Sequence, residues 1–249
     1  KKEFLNHPVG TGPFILPQFN QTKKIVYKRN PKFRKKLFPS EVSAEFKGKG
    51  IEKYAGKTLP IIDKVTVHIM SEPQPRWLKF LKGGIDFLSI PKDNFDSVIT
   101  PSQGLVDDMA KKGIGLMISP SLDVTYVAFN HDNELLKNVH LRRAMSLAYN
   151  VQESNKLFYN NTALPAHSVI PPGIAGYIKD YKNPYIGQNV EKAKEELAKA
   201  GYPEGKGLPE ITYDSLSSTV SRQQAQFFQK QMAKIGLKIK LQTSTWPKF

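Results

Sequence analysis

The sequence predicts an α/β fold with mixed sheets and crossover helices, and three observations carry that prediction. Val65, Val67 and Ile69 alternate with Thr66, His68 and Met70, the period of a strand with one buried face. Ala225, Phe228, Met232 and Ile235 recur at helical spacing, and Leu237, Ile239 and Leu241 alternate with Lys238, Lys240 and Gln242 beyond Gly236. With the short strand expected over Glu210 to Asp214, this last stretch forms a strand, crossover helix and strand, which implies parallel pairing and a right-handed connection.

The elements follow in order. Gly10-Thr11-Gly12 before Pro13 is a tight turn feeding a strand, and Lys23 to Arg29 alternates as a second strand. Arg34 to Lys57 is polar, has little periodicity and carries Gly48, Gly50 and Gly56, the marks of a surface insertion between two strands. After the strand at Val65, a helix starting past Pro73 or Pro75 is expected to bury Trp77, Phe80 and Leu81 and to stop at Gly83-Gly84. Ile85, Phe87, Leu88 and Ile90 then resume as a strand before Pro91, completing a first strand–helix–strand unit. Between the units, Asn138 to Asn150 sets Leu141, Ala144, Met145 and Ala148 in one stripe, with Arg142 and Arg143 turned away. Val190 to Ala200 does the same with Ala193, Leu197 and Ala200, with Asn189 as N-cap and Gly201 as stop.

Composition narrows the function. The chain has 249 residues, 39% hydrophobic and 24% charged, with Pro and Gly scattered without period, so it is neither disordered nor fibrous. The formal charge of +15 nominates polyanions, but nine of the fifteen excess charges lie in residues 1–50. They concentrate from Lys23 to Lys36, where eight cations meet no acid. With Tyr27 and Phe33 interleaved, that run has two readings: a nucleic-acid surface, or a solvated edge whose lysines discourage strand pairing. No nucleic-acid module motif accompanies it, which favours the edge.

Chemistry is sparse. With no cysteine there is no thiolate nucleophile or Cys-based zinc site. The histidines His7, His68, His131, His140 and His167 lack metal-ligand spacing, and His68 reads as a solvent-facing or hydrogen-bonded strand residue. There is no G-x-S-x-G elbow and no phosphate-binding loop; Gly10-Thr11-Gly12 precedes a proline that lacks the needed N–H, and Gly48-Lys49-Gly50 follows no strand. No catalytic residue, metal ligand or cofactor is therefore expected. No apolar run approaches the roughly 18–20 residues of a membrane span. The start, Lys1-Lys2-Glu3-Phe4-Leu5, lacks Met and a signal peptide, and suggests a processed or cut piece.

His7-Pro8-Val9-Gly10-Thr11-Gly12-Pro13-Phe14 resembles the signature of the peptide-binding type of extracellular solute-binding proteins, family 5, which feed ABC importers. The resemblance continues in order through Arg29-Asn30-Pro31, Phe80-Leu81-Lys82-Gly83-Gly84-Ile85-Asp86, Phe129-Asn130 and Leu141-Arg142-Arg143-Ala144-Met145. It extends through Ile170-Pro171-Pro172, Glu191-Lys192-Ala193-Lys194 and Leu197 to Tyr202, spanning Asn6 to Trp246. Two departures stand out: the helix from Leu141 ends Ala148-Tyr149-Asn150 where the family has Ala-Ile-Asp, and the segment from Leu37 to Lys57 is longer than the usual loop.

The resemblance implies a two-lobed, type II periplasmic binding protein-like fold, present in part, since the family's chains are about twice as long. Residues 1–120 would belong to the first lobe and 121–249 to the second, with the crossover near Pro120 to Tyr126. It implies a non-enzymatic monomer that captures peptides between the lobes by hinge closure and hands them to ABC permease subunits in the inner membrane. A sugar or metal chelate is the alternative solute of the same family, and no nucleic-acid partner is expected. The location would be periplasmic or extracytoplasmic, free or held by a lipid anchor. Ligand contacts are expected from Leu88, Ser89 and Ile90 at a strand end, and from Leu122, Asp123, Val124 and Tyr126 at the crossing. Ser89 and Asp123 would bond or pair with a ligand amine; Asp123 reads equally well as a turn residue after Pro120-Ser121.

Overall fold

The computed structural model describes residues 8–48 and 50–246. His7 of the first motif, Asn6, the opening Lys1 to Leu5 and Lys49 of Gly48-Lys49-Gly50 lie outside the described residues. The chain divides into two compact units, Lys1–Lys82 and Gly83–Phe249.

In the first unit, β1 (Phe14–Asn20), β2 (Lys24–Arg29) and β3 (Lys64–His68) form an antiparallel sheet in the order β1-β2-β3. Pro17 cannot donate to a ladder, and the β1–β2 register shifts between Ile15 and Gln18, the position where a strand tolerates proline. The two motifs at the start are joined here. Asn30 is buried, its Nδ2 donates to the Gly12 carbonyl at 2.9 Å, and its backbone N–H donates to the Pro13 carbonyl at 2.9 Å. The Gly-Thr-Gly-Pro turn is thus held by the asparagine of Arg-Asn-Pro. Arg29 continues the tie through an ion pair with Asp63 at 2.9 Å.

The segment between β2 and β3 is a surface insertion, as expected, but it is not a featureless loop. It holds short 3-10 turns at Ala44–Phe46 and Glu52–Tyr54, and Leu37 bridges Thr58 in antiparallel fashion. The helix α1 (Pro73–Leu81) starts on its proline and buries Trp77, stacked on Phe80 at 5.8 Å between ring centroids. Leu81 was expected inside with them and is 41% exposed instead. It sits in the last turn, past the Trp77–Phe80 pair, where the chain leaves through Gly83 at φ 70°. His68 accepts a hydrogen bond at Nδ1 from the Lys79 ammonium at 3.0 Å, because an ammonium can only donate.

A second correction concerns residues 85–90, expected as a strand. The segment is irregular, and its backbone finds no hydrogen-bond partner among the described residues. Apolar alternation supplies a face, but a strand also needs a ladder to satisfy its N–H and C=O groups.

The second unit continues with α2 (Phe95–Val98) and α3 (Asp107–Lys111) and then a long irregular stretch. Its core is built by α4 (Val139–Ala148), α5 (Val151–Tyr159), α6 (Val190–Lys199), β4 (Ile211–Leu216), α7 (Thr219–Ala233) and β5 (Ile239–Ser244). The predicted stripes are the core: Leu141, Ala144, Met145 and Ala148 pack with Ala193, Leu197, Phe228, Met232, Ile235 and Ile239. Asn138, Asn150, Asn189 and Ser218 cap α4, α5, α6 and α7 through side-chain oxygens that accept backbone N–H bonds. β4 and β5 pair in parallel, Ile211 with Ile239 through Leu216 with Ser244, as the crossover pattern requires. α5 was not anticipated from sequence.

Gly236, past the end of α7, has φ 81°, and a Cβ there would stand 2.2 Å from the Glu204 carbonyl oxygen. Gly205, opposite, would meet the Gly236 carbonyl at 2.3 Å. Both positions need glycine for close backbone approach as well as for φ.

Candidate functional site

The first expected contact segment emerges from the turn at Gly83. Phe87 is 71% exposed, Leu88 and Ile90 are half-buried, and Ser89 is exposed. What anchors it lies just beyond: Pro91 is buried, and the Lys92 carbonyl accepts from Nδ2 of Asn160 at 3.1 Å. Asn160 ends α5 in the left-handed conformation, φ 51°. Val98 and Ile99 then bury the following turn, closed by the Ile99–Leu105 bridge. The 88–90 segment is therefore an irregular stretch whose backbone finds no hydrogen-bond partner among the described residues, held at its carboxyl end.

The second segment, Pro120 to Tyr126, is irregular and open. Leu122 is exposed, and its Cδ2 would lie 3.0 Å from a Cβ on Gly173, so it rests against that glycine. Asp123 is exposed, and its carboxylate accepts a hydrogen bond from the Ser121 hydroxyl at 2.6 Å, the geometry of a local turn. Val124 is half-buried and Tyr126 is 77% exposed. No hydrogen bond or ion pair among the described residues links Leu88, Ser89 or Ile90 to Leu122, Asp123, Val124 or Tyr126.

Both segments present backbone that finds no hydrogen-bond partner among the described residues, and outward apolar side chains. That combination suits an extended chain recognised through main-chain hydrogen bonds, with pockets for alternate side chains.

A third feature escaped the sequence reading. Open α/β sheets bind ligands outside the carboxyl ends of their parallel strands. At that end of β4, Ser215 donates to the Ser221 carbonyl at 3.2 Å, Ser218 caps α7, and the Ser218 and Ser221 hydroxyls lie 2.8 Å apart. The crossover pattern around Thr219–Ala233 was the signal available for locating this edge.

The second unit also holds a buried polar cluster. Gln231, only 1% exposed on α7, accepts from Nε2 of Gln188 at 2.7 Å and from the Lys234 ammonium at 2.8 Å, and its own Nε2 donates to Glu153 at 3.2 Å. Gln188 also donates to the Ala148 carbonyl at 2.8 Å, so one glutamine pair joins the ends of α4, α5 and α7. Beside it the Tyr149 hydroxyl donates to Ser154 at 2.8 Å, and burial pushes the phenol above its ordinary value. None of these groups has the base-and-nucleophile spacing of an active site. Among the described residues, no group of three or more His, Asp and Glu side chains could hold a metal ion, and no helix is long and apolar enough to cross a membrane.

Comparisons with known proteins supply the context for this geometry. The glutathione-binding protein GsiB of Escherichia coli O6:K15:H31 is 30% identical over 239 residues, which is 95% of this chain and 40% of that protein. The chain thus spans about two fifths of the length of the curated relatives it matches. The periplasmic binding protein DppA from Helicobacter pylori, solved in complex with the peptide STSA, superposes with a TM-score of 0.74 at 25% identity, covering 100% of this chain and 41% of that one. The oligopeptide-binding protein AppA from Bacillus subtilis, solved with a nonapeptide, gives 0.71 at 23% identity over 97% of this chain and 44% of its own. The fold is accordingly that of the type II periplasmic binding proteins, present in part. The profile described as bacterial extracellular solute-binding proteins, family 5, middle portion, matches residues 1–249, and the chain belongs to that family.

Proposed function

We propose that this protein is the substrate-binding component of an ABC import system, which captures di- or oligopeptides between two lobes and delivers them to permease subunits in the membrane. The observation that carries the reading is the superposition of the whole chain, at a TM-score of 0.74, on a relative solved with a bound tetrapeptide. The exposed backbone at Ser89 and around Asp123, without a hydrogen-bond partner among the described residues, supports it, since peptides are held mainly by main-chain bonds. In this proposal the protein acts as a monomer outside the cytoplasmic membrane, free or lipid-anchored, binds no nucleic acid and catalyses no reaction.

Titration calorimetry with a panel of free-amine di- to pentapeptides, glutathione included, tests the ligand class. Saturable binding with a thermal shift supports it. A flat panel, together with a sugar or metal chelate found by mass spectrometry in the denatured protein, overturns it.

The lobes proposed are residues 1–120 and 121–249, with hinge closure as the mechanism. The compact units divide earlier, at Gly83, so the two boundaries differ in where a protease nick separates stable fragments. A ligand-protected cleavage between 114 and 130 supports the hinge at the crossover. Ligand-insensitive cleavage there, with protection confined to Gly83-Gly84, overturns it.

A further inference from the structure

The first unit contains a groove of about 730 Å³ that belongs to neither expected contact segment. Its size falls within the few hundred to about 1,000 Å³ usual for small-molecule sites. The walls are apolar and rich in rings: Phe14, Phe33, Phe38, Tyr54, Ile51 and Leu59. Phe38 and Tyr54 stand 6.1 Å apart between centroids, and Pro60 closes one side as a buried residue.

Its charge is of one sign. Arg34 and Lys36 line it, and no carboxylate does. The acids nearest along the chain are engaged elsewhere. Asp63, next to Ile62, is paired with Arg29 at 2.9 Å. Glu52, next to Ile51, accepts from the Gly48 N–H, and backbone hydrogen bonds hold its carboxyl below its ordinary value. Arg34 and Lys36 have no ion-pair partner among the described residues.

The two cations are also placed together by the backbone. Residues 36–38 run extended along 57–59, with Leu59 N donating to the Lys36 carbonyl and Phe38 N to the Lys57 carbonyl, both at 2.8 Å. Extended geometry puts alternate residues on one side, and Arg34, Lys36 and Phe38 all line the groove. The Arg34 guanidinium lies 5.2 Å over the Phe33 ring, and the Lys53 and Lys57 ammonium groups lie 5.1 and 5.4 Å over Tyr54. An apolar trough with unneutralised cations at its wall is complementary to an amphipathic anion, and a guanidinium fork matches the planar pair of oxygens of a carboxylate.

We propose that this groove is a second ligand site, for an unbranched acyl chain ending in a single carboxylate, with the chain along Phe33, Phe38 and Tyr54 and the carboxylate between Arg34 and Lys36. The site is independent of the peptide cleft. Calorimetry with decanoate, and with decyltrimethylammonium as the same chain of opposite charge, tests it on the whole protein. Decanoate is expected to bind one to one, to weaken as salt is raised, and to bind equally when peptide ligand is saturating. The cationic amphiphile is expected to give no saturable heat. Arg34→Gln with Lys36→Gln should weaken decanoate about tenfold or more and leave peptide affinity unchanged. Both side chains are exposed, so folding is preserved. Phe38→Ser serves as the apolar counterpart, weakening decanoate at unchanged salt slope. Equal binding of the two amphiphiles, indifference to the double substitution, or competition with peptide would overturn the proposal.

Discussion

The Glu196 carboxylate accepts a hydrogen bond from Nδ1 of His140 at 2.8 Å, joining α6 to α4 beside the core. Because an ionised carboxylate can only accept, the proton sits on that ring nitrogen. Lys199 adds a second donor at 2.9 Å from the next turn of α6. The Glu196 side chain is 8% exposed, and these two hydrogen bonds, the His140 bond first, hold its carboxyl below the ordinary value against the opposing effect of burial.

The sign of the pH dependence follows. A carboxyl whose folded value is depressed contributes stability that is complete above its unfolded value, near pH 4.3, and is lost as pH falls through the folded value. The melting temperature of the wild type should therefore exceed that of Glu196→Gln at about pH 5, and the margin should shrink below about pH 4. A margin that stayed constant down to pH 3 would show that the carboxylate charge does not carry the contact.

Gln231 should be intolerant of apolar replacement despite its place on a core helix. Gln231→Leu leaves the Gln188 amide and Glu153 without their buried partner. An unsatisfied buried polar group costs about 1–3 kcal/mol, which urea unfolding would register as a lower midpoint at unchanged slope.

Gly236→Ala should destabilise by about 2–5 kcal/mol, combining the left-handed backbone penalty with a steric clash. The added Cβ would meet backbone, the Glu204 carbonyl at 2.2 Å, which cannot swing aside like a side chain end. Gly207→Ala, also at positive φ but with open space around its Cβ, should cost only the backbone part, about 1–2 kcal/mol. Equal losses in the two variants would remove the close-approach argument.

Helices α4 and α6 of the second unit were legible because the stripe and the cap agree. Leu141, Ala144, Met145 and Ala148 sit at helical spacing, and asparagine caps stand before α4 and α6. The parallel pair β4–β5 was legible for the same reason, a strand period switching to a helix period and back. What escaped notice was whatever depends on a partner distant in sequence. Ile85 to Ile90 carries strand-like alternation, yet pairing decides a strand. Gln231 is one of several glutamines from Gln223 to Gln231, and its place in the core depends on Gln188, far back along the chain. Phe227 lies off the predicted stripe of α7, and is buried because Tyr149 and Phe158 meet it edge-on at 5.5 and 5.8 Å. The expected contact residues were located by resemblance, since exposure and free backbone leave no mark in a residue pattern.

Asp123 separates two readings of the 120–126 segment, ligand contact and local turn. Its carboxylate is exposed and takes up the Ser121 hydroxyl at 2.6 Å through one oxygen, leaving the other oxygen open to a ligand. If it pairs with a peptide ammonium, Asp123→Asn should weaken free-amine peptides about tenfold, in line with loss of a charge-assisted bond, and leave N-acetylated peptides unaffected. Ser89→Ala should weaken both peptide classes by a smaller and equal factor, because a hydroxyl reads no charge. Calorimetry with matched acetylated and free peptides distinguishes these outcomes. A fall in melting temperature with unchanged affinity for both peptides would instead assign Asp123 to the turn, since a residue that only shapes the backbone acts on stability and cannot sense the charge of the ligand's end.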